Sequence, residues 1–432
     1  MPRLVRFPDG PVGADGVARP KTAPCQAACP LGQDVPGYVR AIALGKPSEA
    51  LDIIRKTNPL PSSCGRLCPA GCMDACVRET LDEAVAIRSL KRFAVDEADD
   101  PNVPAWTKPD EPKPLSVAVI GSGPSGLATA WHLALNGWMV MIYEAQEKPG
   151  GLLRYGVSRF DLPEDVLDRE IAHILDLGIT LKTSTMIRGR RSLKKLIEKG
   201  FTAVVASTGA GKCLGPNVPG WRNLKGTCDV VNFSRKVNTG LLTHLDGNVV
   251  ISGNGPAAVT AARMAVRLGA SSVLLAMPRS RKEAGAGQRN LNRAEAEGVQ
   301  ILEETGVLGL GGTDRLESVQ LAPLRLTASD HVSRRRVQGP IRSSAWTVET
   351  HQFVSAGMRL PETNWMNGTP VRVGPLGNLL CSPKDRNLGP DWLFGAGEAI
   401  TGPKTVVEAV ASGIATARRV ESYLELRLEQ GQ

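Results

Sequence analysis

The stretch that decides the fold runs from Leu115 to Gln146 and reads LSVAVIGSGPSGLATAWHLALNGWMVMIYEAQ. It opens on an apolar run of strand length, Val117 to Ile120, and turns through glycines. It then continues as an apolar segment long enough for three helical turns and closes on a second apolar run, Met139 to Tyr143. Strand, turn, helix and strand in so few residues make the β-α-β unit of a parallel sheet. Gly121, Gly123 and Gly126 place G-x-G-x-x-G at the first turn. The first glycine permits the tight turn, the second lets the backbone approach a pyrophosphate, and the third lets the helix pack on the strand. The helix N-terminus then offers unbonded N–H groups to phosphate oxygens. Glu144 follows Gly121 by 23 residues, at the end of the second strand, where a carboxylate can accept ribose hydroxyls. A glycine pattern alone is weak, but here strand, helix and acid all stand in their required places.

The plan recurs at residues 247–280, GNVVISGNGPAAVTAARMAVRLGASSVLLAMPRS. Gly253, Asn254, Gly255 and Ala258 form G-x-G-x-x-A after its strand. Two such units imply two dinucleotide sites and an α/β architecture. KPGGLLRYG at 148–156 and FTAVVASTGAG at 201–211 follow the first unit. DWLFGAGEAITGPKTVVEAVASGIATARRV at 391–420 adds a strand, a glycine turn and a long helix near the C-terminus. These are the spaced marks of a flavoprotein in which one domain interrupts another. The last helix, starting near Pro403, can aim its positive end at a flavin.

Upstream the texture differs. Nine cysteines occur in 432 residues, and six of them, Cys25, Cys29, Cys64, Cys68, Cys72 and Cys76, fall in one short region. The opening residues lack an apolar signal segment and no run approaches the length of a membrane span, so the reading expects a cytoplasmic protein. Structural disulfides are disfavoured there, and the cluster points to metal. Pro69, Gly65 and Gly71 argue against one continuous helix through Cys64 to Cys76, so a turning loop is expected. The C-x2-C pairs usual for zinc are absent, whereas Cys29-Pro30 and Cys68-Pro69 suit iron-sulfur ligation; both metals stay open at this point. The net charge of +9 suggests nucleic acid, yet only 4% of residues are aromatic and stacking platforms are scarce. Nucleic acid and membrane are therefore excluded as partners. An acidic redox partner fits the charge better.

The chain divides into an arm at 1–22, a helical cysteine-rich domain at 23–95 and a proline-rich linker at 96–114. A first flavin-domain segment at 115–215, a nicotinamide domain at 216–358 and a second flavin-domain segment at 359–432 follow. With NPLPSSCGRLCPAGCMDAC (58–76), AVAIRSLKRFAVD (84–96), GGLLRYGVSRFDLPEDVLDREI (150–171) and SDHVSRRR (329–336), the sequence resembles a known family. It is similar to the small subunit of bacterial glutamate synthase and related NAD(P)H:ferredoxin oxidoreductases. It also resembles the electron-entry half of dihydropyrimidine dehydrogenase. The likeness implies an N-terminal α-helical iron-sulfur domain followed by two Rossmann-like α/β domains, the NAD(P) domain inserted in the FAD domain.

The resemblance assigns Gly121, Gly123, Ser125, Gly126 and Glu144 to the FAD fingerprint, with Gly151 and Leu152 near the flavin. Thr208 and Gly209 form the middle motif, and Gly397 and Glu398 the last. Glu398 stands where the family has Asp, for ribityl contact. The backbone N–H groups of Thr405 and Val406 are expected at a flavin carbonyl. For NAD(P), Gly253, Asn254, Gly255 and Ala258 hold the pyrophosphate, and Arg279 and Arg281 are the candidates for a 2'-phosphate.

For iron-sulfur, Cys29, Cys68 and Cys72 match one cluster, whose fourth position aligns near Lys91. Cys25 and Cys76 are half of another site, and Cys64, Cys25 or Cys76 could supply the fourth ligand in place of Lys91 by a loop shift. One [4Fe-4S] cluster is expected, with none or two as the alternatives. The implied activity is a diaphorase subunit passing electrons between NAD(P)H and the clusters of a ferredoxin-like or larger catalytic subunit. The rival reading is an FAD-binding assembly or relay subunit with a decayed nicotinamide site.

Overall fold

The computed structural model describes residues 22–221, 223–329 and 336–431. The expected arm, except for its last residue, and most of SDHVSRRR lie outside them. Six short helices come first: α1 (Pro24–Ala27), α2 (Val35–Ala43), α3 (Pro47–Arg55), α4 (Pro61–Leu67), α5 (Gly71–Asp74) and α6 (Ile87–Ala98). Proline occupies the first turn of α1 to α4, where its missing N–H is no loss. Tyr38, Ala50, Ile54, Ile87 and Ala94 close a small core among α2, α3 and α6. The cysteine stretch is not the single turning loop expected. α4 carries Cys64, ends at Cys68, and α5 resumes at Gly71, with Ala70 left-handed between them (φ 66°). Pro69 breaks the helix, as its geometry requires, but Gly65 is tolerated inside α4, where Arg92 of α6 packs against it.

β1 (Ser116–Ile120), α7 (Pro124–Leu135) and β2 (Met139–Tyr143) realise the deciding stretch. α8 (Leu152–Tyr155), α9 (Glu164–Leu175), β3 (Thr180–Lys182), α10 (Gly189–Glu198) and β4 (Ala203–Ala206) follow. The chain leaves this layer through β5 (Lys212–Cys213) and builds a second parallel unit. That unit contains β6 (Thr227–Asp229), α11 (Val230–Asn238), β7 (Asn248–Ser252), α12 (Pro256–Arg267), β8 (Ser272–Ala276), α13 (Gln288–Ala296) and β9 (Gln300–Leu302). An antiparallel set comes next: β10 (Thr305–Gly311), β11 (Ser318–Ser329), β12 (Arg336–Pro340) and β13 (Trp346–Glu349). β14 (Gln352–Ser355) returns to the second sheet, and β15 (Arg359–Leu360) pairs antiparallel with β5. β16 (Leu393–Gly395), α14 (Glu398–Thr401) and α15 (Val406–Glu429) complete the first layer.

The two parallel sheets share the order of four strands and differ in the origin of one edge strand. The first is ordered β16-β4-β1-β2-β3 and the second β6-β14-β7-β8-β9. In each, the fingerprint strand is central and is flanked by the strand that follows its helix and by one contributed much later in the chain. Both central strands are apolar along their length because both faces are covered, in the second sheet by helices on one side and the antiparallel β10–β11 strands on the other: Val117 to Ile120 and Val249 to Ile251 are all buried. α15 packs along α7, and Val410, Ile414, Ala417 and Val420 join Leu127, Ala130 and Leu133 in the largest core. The β5–β15 pair is the double crossing through which the second sheet is inserted in the first.

The cysteine helices are fastened to this layer. Leu60 is fully buried within the core around α7 and α15. Trp106, from the proline-rich stretch, stacks edge-on against Trp131 at 5.7 Å and donates its indole N–H to the Arg55 carbonyl at 3.3 Å. Asp99 accepts from both Arg55 and His173. No helix among the described residues is long and apolar enough to cross a membrane.

Candidate functional site

The glycine loop after β1 has the sterics its pattern demands. Gly121 has φ +103°, and a side chain there would overlap the Ser207 carbonyl. A side chain on Gly126 would overlap the Gly121 carbonyl, so α7 lies as close to β1 as backbone allows. Around Gly123 the direction of a Cβ is open. This is the approach a pyrophosphate requires, and the N–H groups of the first turn of α7 stand beside it without intrahelical acceptors. Gly151 closes the loop from outside: its Cβ would fall 2.8 Å from Gly123 Cα. Ser207, just before Thr208 and Gly209, donates its N–H to Ile120 O at 2.9 Å and shares a hydroxyl contact with Ser125. Gly397 lies on the same spot, where any side chain would overlap the Ser125 hydroxyl. Four segments distant in sequence therefore meet at one loop, and its open face fits an FAD pyrophosphate.

The acid is placed differently from the simplest expectation. Glu144 is buried, and its Oε2 accepts from the Ser122 N–H (2.9 Å) and the Ser122 hydroxyl, while Oε1 accepts from Gln146 N–H (2.8 Å). It braces the glycine loop with one oxygen and keeps lone-pair capacity on the other for ribose.

Three flavin expectations shift. Glu398 does not face open space: Arg359 grips it through both terminal nitrogens at 2.9 and 2.8 Å, and Lys404 N–H donates to Oε1 at 2.9 Å. The methylene beyond the family's Asp carries the carboxylate to that guanidinium, which also reaches Ala210 O (3.1 Å). Thr405 caps α15 in a capping box, so its N–H donates to Glu408 Oε2 at 3.0 Å. That N–H is committed within the helix start, which leaves Val406, the first residue of α15, to present its own. Leu152 packs against the core of the second sheet.

At the second fingerprint, Gly253 has φ +154° and its Cβ would fall 2.8 Å from Ala356. Gly255 again faces open space, and Ala258 is wholly buried under the turn. Asn254 O accepts Ala286 N–H at 3.1 Å, folding the loop after β8 back over the glycines. Arg281 is already engaged. Its guanidinium meets Glu295, Glu303 (3.4 Å) and Asn292 (3.0 Å), and its N–H donates to Glu303 at 2.6 Å. Two carboxylates thus neutralise the arginine expected at a 2'-phosphate, and the cause is α13 and the turn after β9, neither adjacent in sequence.

Cys29, Cys68 and Cys72 lie within electrostatic reach of one another, and together with Cys25 they surround Tyr38, while Cys64 is within reach of Cys68. Ala70 N–H points at the Cys68 sulfur, 3.4 Å away. Cys25 and Cys76 form a second pair. Cys64 is fully buried with its thiol 3.8 Å from Asn58 Oδ1. Burial pushes Cys64 up to about 12 and Cys72 up to about 11, and it raises Cys25 and Cys68 as well. Lys91 pulls Cys64, Cys68 and Cys72 back only in part. Such thiols become thiolates by binding metal. Among the described residues no three of His, Cys, Asp and Glu converge closely enough for a single ion.

Sequence reasoning missed Glu170. It is buried on α9, accepts from Ser62 N–H, Ser63 N–H (3.1 Å) and Ser63 Oγ (2.6 Å), and so caps α4 from another domain. The signal was available only as a lone acid on the apolar side of a helix.

Comparison with known proteins agrees with this geometry. Residues 115–413 match the family model described as Pyridine nucleotide-disulphide oxidoreductase, and residues 14–103 match Dihydropyrimidine dehydrogenase domain II, 4Fe-4S cluster. The chain is 31% identical over 424 residues to the glutamate synthase [NADPH] small chain of Azospirillum brasilense, covering 94% of this chain and 87% of that one. It is 32% identical to the NADP(+)-dependent formate dehydrogenase subunit beta of Moorella thermoacetica, of whose length it spans 60%. The fold is shared with Mycobacterium tuberculosis FprA in complex with NADPH, at a TM-score of 0.62 and 15% identity, over 74% of this chain and 86% of that one. With an N-terminal 4Fe-4S-type domain joined to two nested dinucleotide-binding sheets, this chain belongs to the pyridine nucleotide-disulphide oxidoreductase family.

Proposed function

We propose that the chain is the flavin diaphorase subunit of a larger redox complex, taking hydride from NAD(P)H and passing single electrons to iron-sulfur centres. The observation that carries this reading is the pair of parallel sheets that share a four-strand order around the fingerprint strand, each with an open glycine loop, bolted to a cysteine domain. FAD, when bound, supplies the conversion between two-electron hydride chemistry and one-electron transfer. The chain's own residues do the rest. Gly121, Gly123, Ser125 and Gly126 turn the first helix N-terminus onto the FAD pyrophosphate, Glu144 braces that turn and meets the ribose, and Thr208, Gly209 and Gly397 wall it. Val406 directs the start of α15 at the ring, and Glu398 with Arg359 fixes the loop before it. Gly253, Asn254, Gly255 and Ala258 do the same for the nicotinamide coenzyme, with Arg279 at its adenosine end.

Cys29, Cys68 and Cys72 would hold a cluster, and α4 is positioned for electron exit because Glu170 and Leu60 fix it against the flavin layer. Rigid placement is what electron transfer over a short gap requires. The partner is a ferredoxin-like or iron-sulfur subunit with an acidic face, matched to the chain's net charge of +9, and the setting is the cytoplasm.

One observation favours the rival reading of a nicotinamide site out of use: Arg281 is held by Glu295 and Glu303. Dye-coupled turnover separates the two. FAD-loaded protein should reduce viologen anaerobically with NADH or NADPH. No turnover with either coenzyme, from protein that retains its flavin, would leave the relay reading.

A further inference from the structure

The chain passes between the two parallel sheets twice, and the two passages pair over two residues each, Lys212 with Leu360 and Cys213 with Arg359. A ribbon that short is a hinge, because a few residues at element ends can absorb a large turn. It attaches the nicotinamide unit and leaves the angle to noncovalent contacts. One set of these lies in the loop between α8 and α9, GVSRFDLP at 156–163. Asn238, the last residue of α11, is buried, and its side-chain amide donates to the carbonyls of Arg154 (3.0 Å) and Val157 (2.7 Å) across the border. Its own carbonyl accepts from the Arg159 guanidinium. A buried amide is costly unless bonded, so these bonds belong to one docking of the two units. Phe160 reaches α12, where the Arg263 and Arg267 guanidiniums lie 4.5 and 4.2 Å from its ring centre, within cation–π range. Glu297 holds both arginines in place, and Asp161 lies 3.5 Å from Arg263.

We infer that residues 154–161, Asn238 and the Arg263–Arg267 pair form a clasp that sets the nicotinamide unit against the flavin loop, with Asn238 as a positioning residue for hydride transfer. This rests on the diaphorase reading above. The clasp grips both sites at their working ends. α12 is the helix that starts at Gly255, the open glycine of the second fingerprint. On the other side the gripped segment begins beside Gly151, which packs on Gly123 of the first fingerprint, while the next residue, Leu152, already packs against the core of the second sheet. A single run of about ten residues thus touches both glycine loops or the elements that carry them. Hydride transfer needs reacting atoms about 3–3.5 Å apart, and a misplacement of about 1 Å can cost on the order of a hundredfold in rate. Loosening the clasp should therefore slow the transfer without weakening the binding of either nucleotide.

The test uses full-length wild type, Asn238→Ala, Phe160→Ala and Thr239→Ala. Two measurements are made: anaerobic stopped-flow reduction of the flavin over a range of NADH and NADPH concentrations, and backbone hydrogen exchange of residues 153–162 in protein without coenzyme. Thr239→Ala is the control, because the Thr239 hydroxyl bonds within its own helix, to Arg235 O at 2.8 Å. Asn238→Ala should lower the limiting rate at saturating coenzyme at least tenfold and speed exchange of residues 153–162 at least tenfold, with flavin content and half-saturating concentration within about twofold of wild type. Phe160→Ala should lower the limiting rate at least threefold, and Thr239→Ala should match wild type throughout. A limiting rate in Asn238→Ala equal to or above that of wild type overturns the inference and leaves the diaphorase reading standing. Should Asn238→Ala lose its flavin, Phe160→Ala, whose side chain is partly exposed, decides by the same rate. Unchanged exchange of residues 153–162 in Asn238→Ala overturns the clasp itself, whatever the coenzymes do. Wild-type flavin that neither coenzyme reduces sinks the diaphorase reading and the positioning role with it.

Discussion

Single residues show where packing and ligand binding part company. Gly126 and Gly123 stand three apart in the same loop, yet one has no room for a methyl group and the other has open space. Gly126→Ala should therefore destabilise the apoprotein by about 1–3 kcal/mol through overpacking, seen as a lower denaturation midpoint. Gly123→Ala should leave the apoprotein's midpoint unchanged and reduce flavin content after purification, because only the bound pyrophosphate needs that space. A further contrast concerns Arg281. Since Glu295 and Glu303 already hold its guanidinium, Arg281→Ala should change the KM for NADPH by less than threefold, roughly under 0.7 kcal/mol. A loss of tenfold or more would mean the two carboxylates release it to a 2'-phosphate. The fingerprint glycines were legible in sequence because the demand on them is local and steric. The engagement of Glu398 by Arg359 was not, because the pair spans 39 residues and depends on β15 returning beside β5.

At the scale of elements, the joint between α4 and α9 matters most. Glu170 is wholly buried, and burial raises its carboxyl to about 7, against the opposing hydrogen bonds of Ser63 and Ser62. Because this folded-state value lies above the roughly 4.3 of an unfolded glutamate, the proton favours the fold. Its contribution is fully present below about pH 4.3 and is lost as pH rises through 7. Glu170→Gln, neutral at every pH, should flatten the dependence of the urea midpoint between pH 5 and about 7.5; an unchanged slope would show that Glu170 is ionised throughout. Glu170→Ala should cost about 1–3 kcal/mol by leaving the α4 N–H groups without an acceptor. At the start of α15, Thr405→Ala should cost about 0.5–2 kcal/mol by removing the cap, measured as a fall in thermal midpoint. The sequence carried that box openly, as Thr405 followed three residues later by Glu408. The joint was invisible, since Ser63 and Glu170 lie 107 residues apart. Helix–strand alternation was readable from period alone. The antiparallel β10–β13 set was not, because Gly306, Gly309 and Gly311 interrupt the alternation of β10.

At the scale of the whole molecule, one architectural plan is used twice and then joined to an electron port. The four-strand order shared by β4-β1-β2-β3 and β14-β7-β8-β9 places two open glycine loops in one chain, with β16 and β6 as unlike edge strands. The β5–β15 crossing ties the inner sheet to the outer. This layout suits two nucleotides that react with each other, one being the hydride donor and the other the flavin. The most direct test is anaerobic titration of FAD-loaded protein with NADH and, separately, NADPH, following the flavin's visible absorbance. The account predicts full bleaching by at least one coenzyme at about one equivalent per FAD, the stoichiometry of a single hydride transfer. A flavin spectrum unchanged by an excess of both would contradict it.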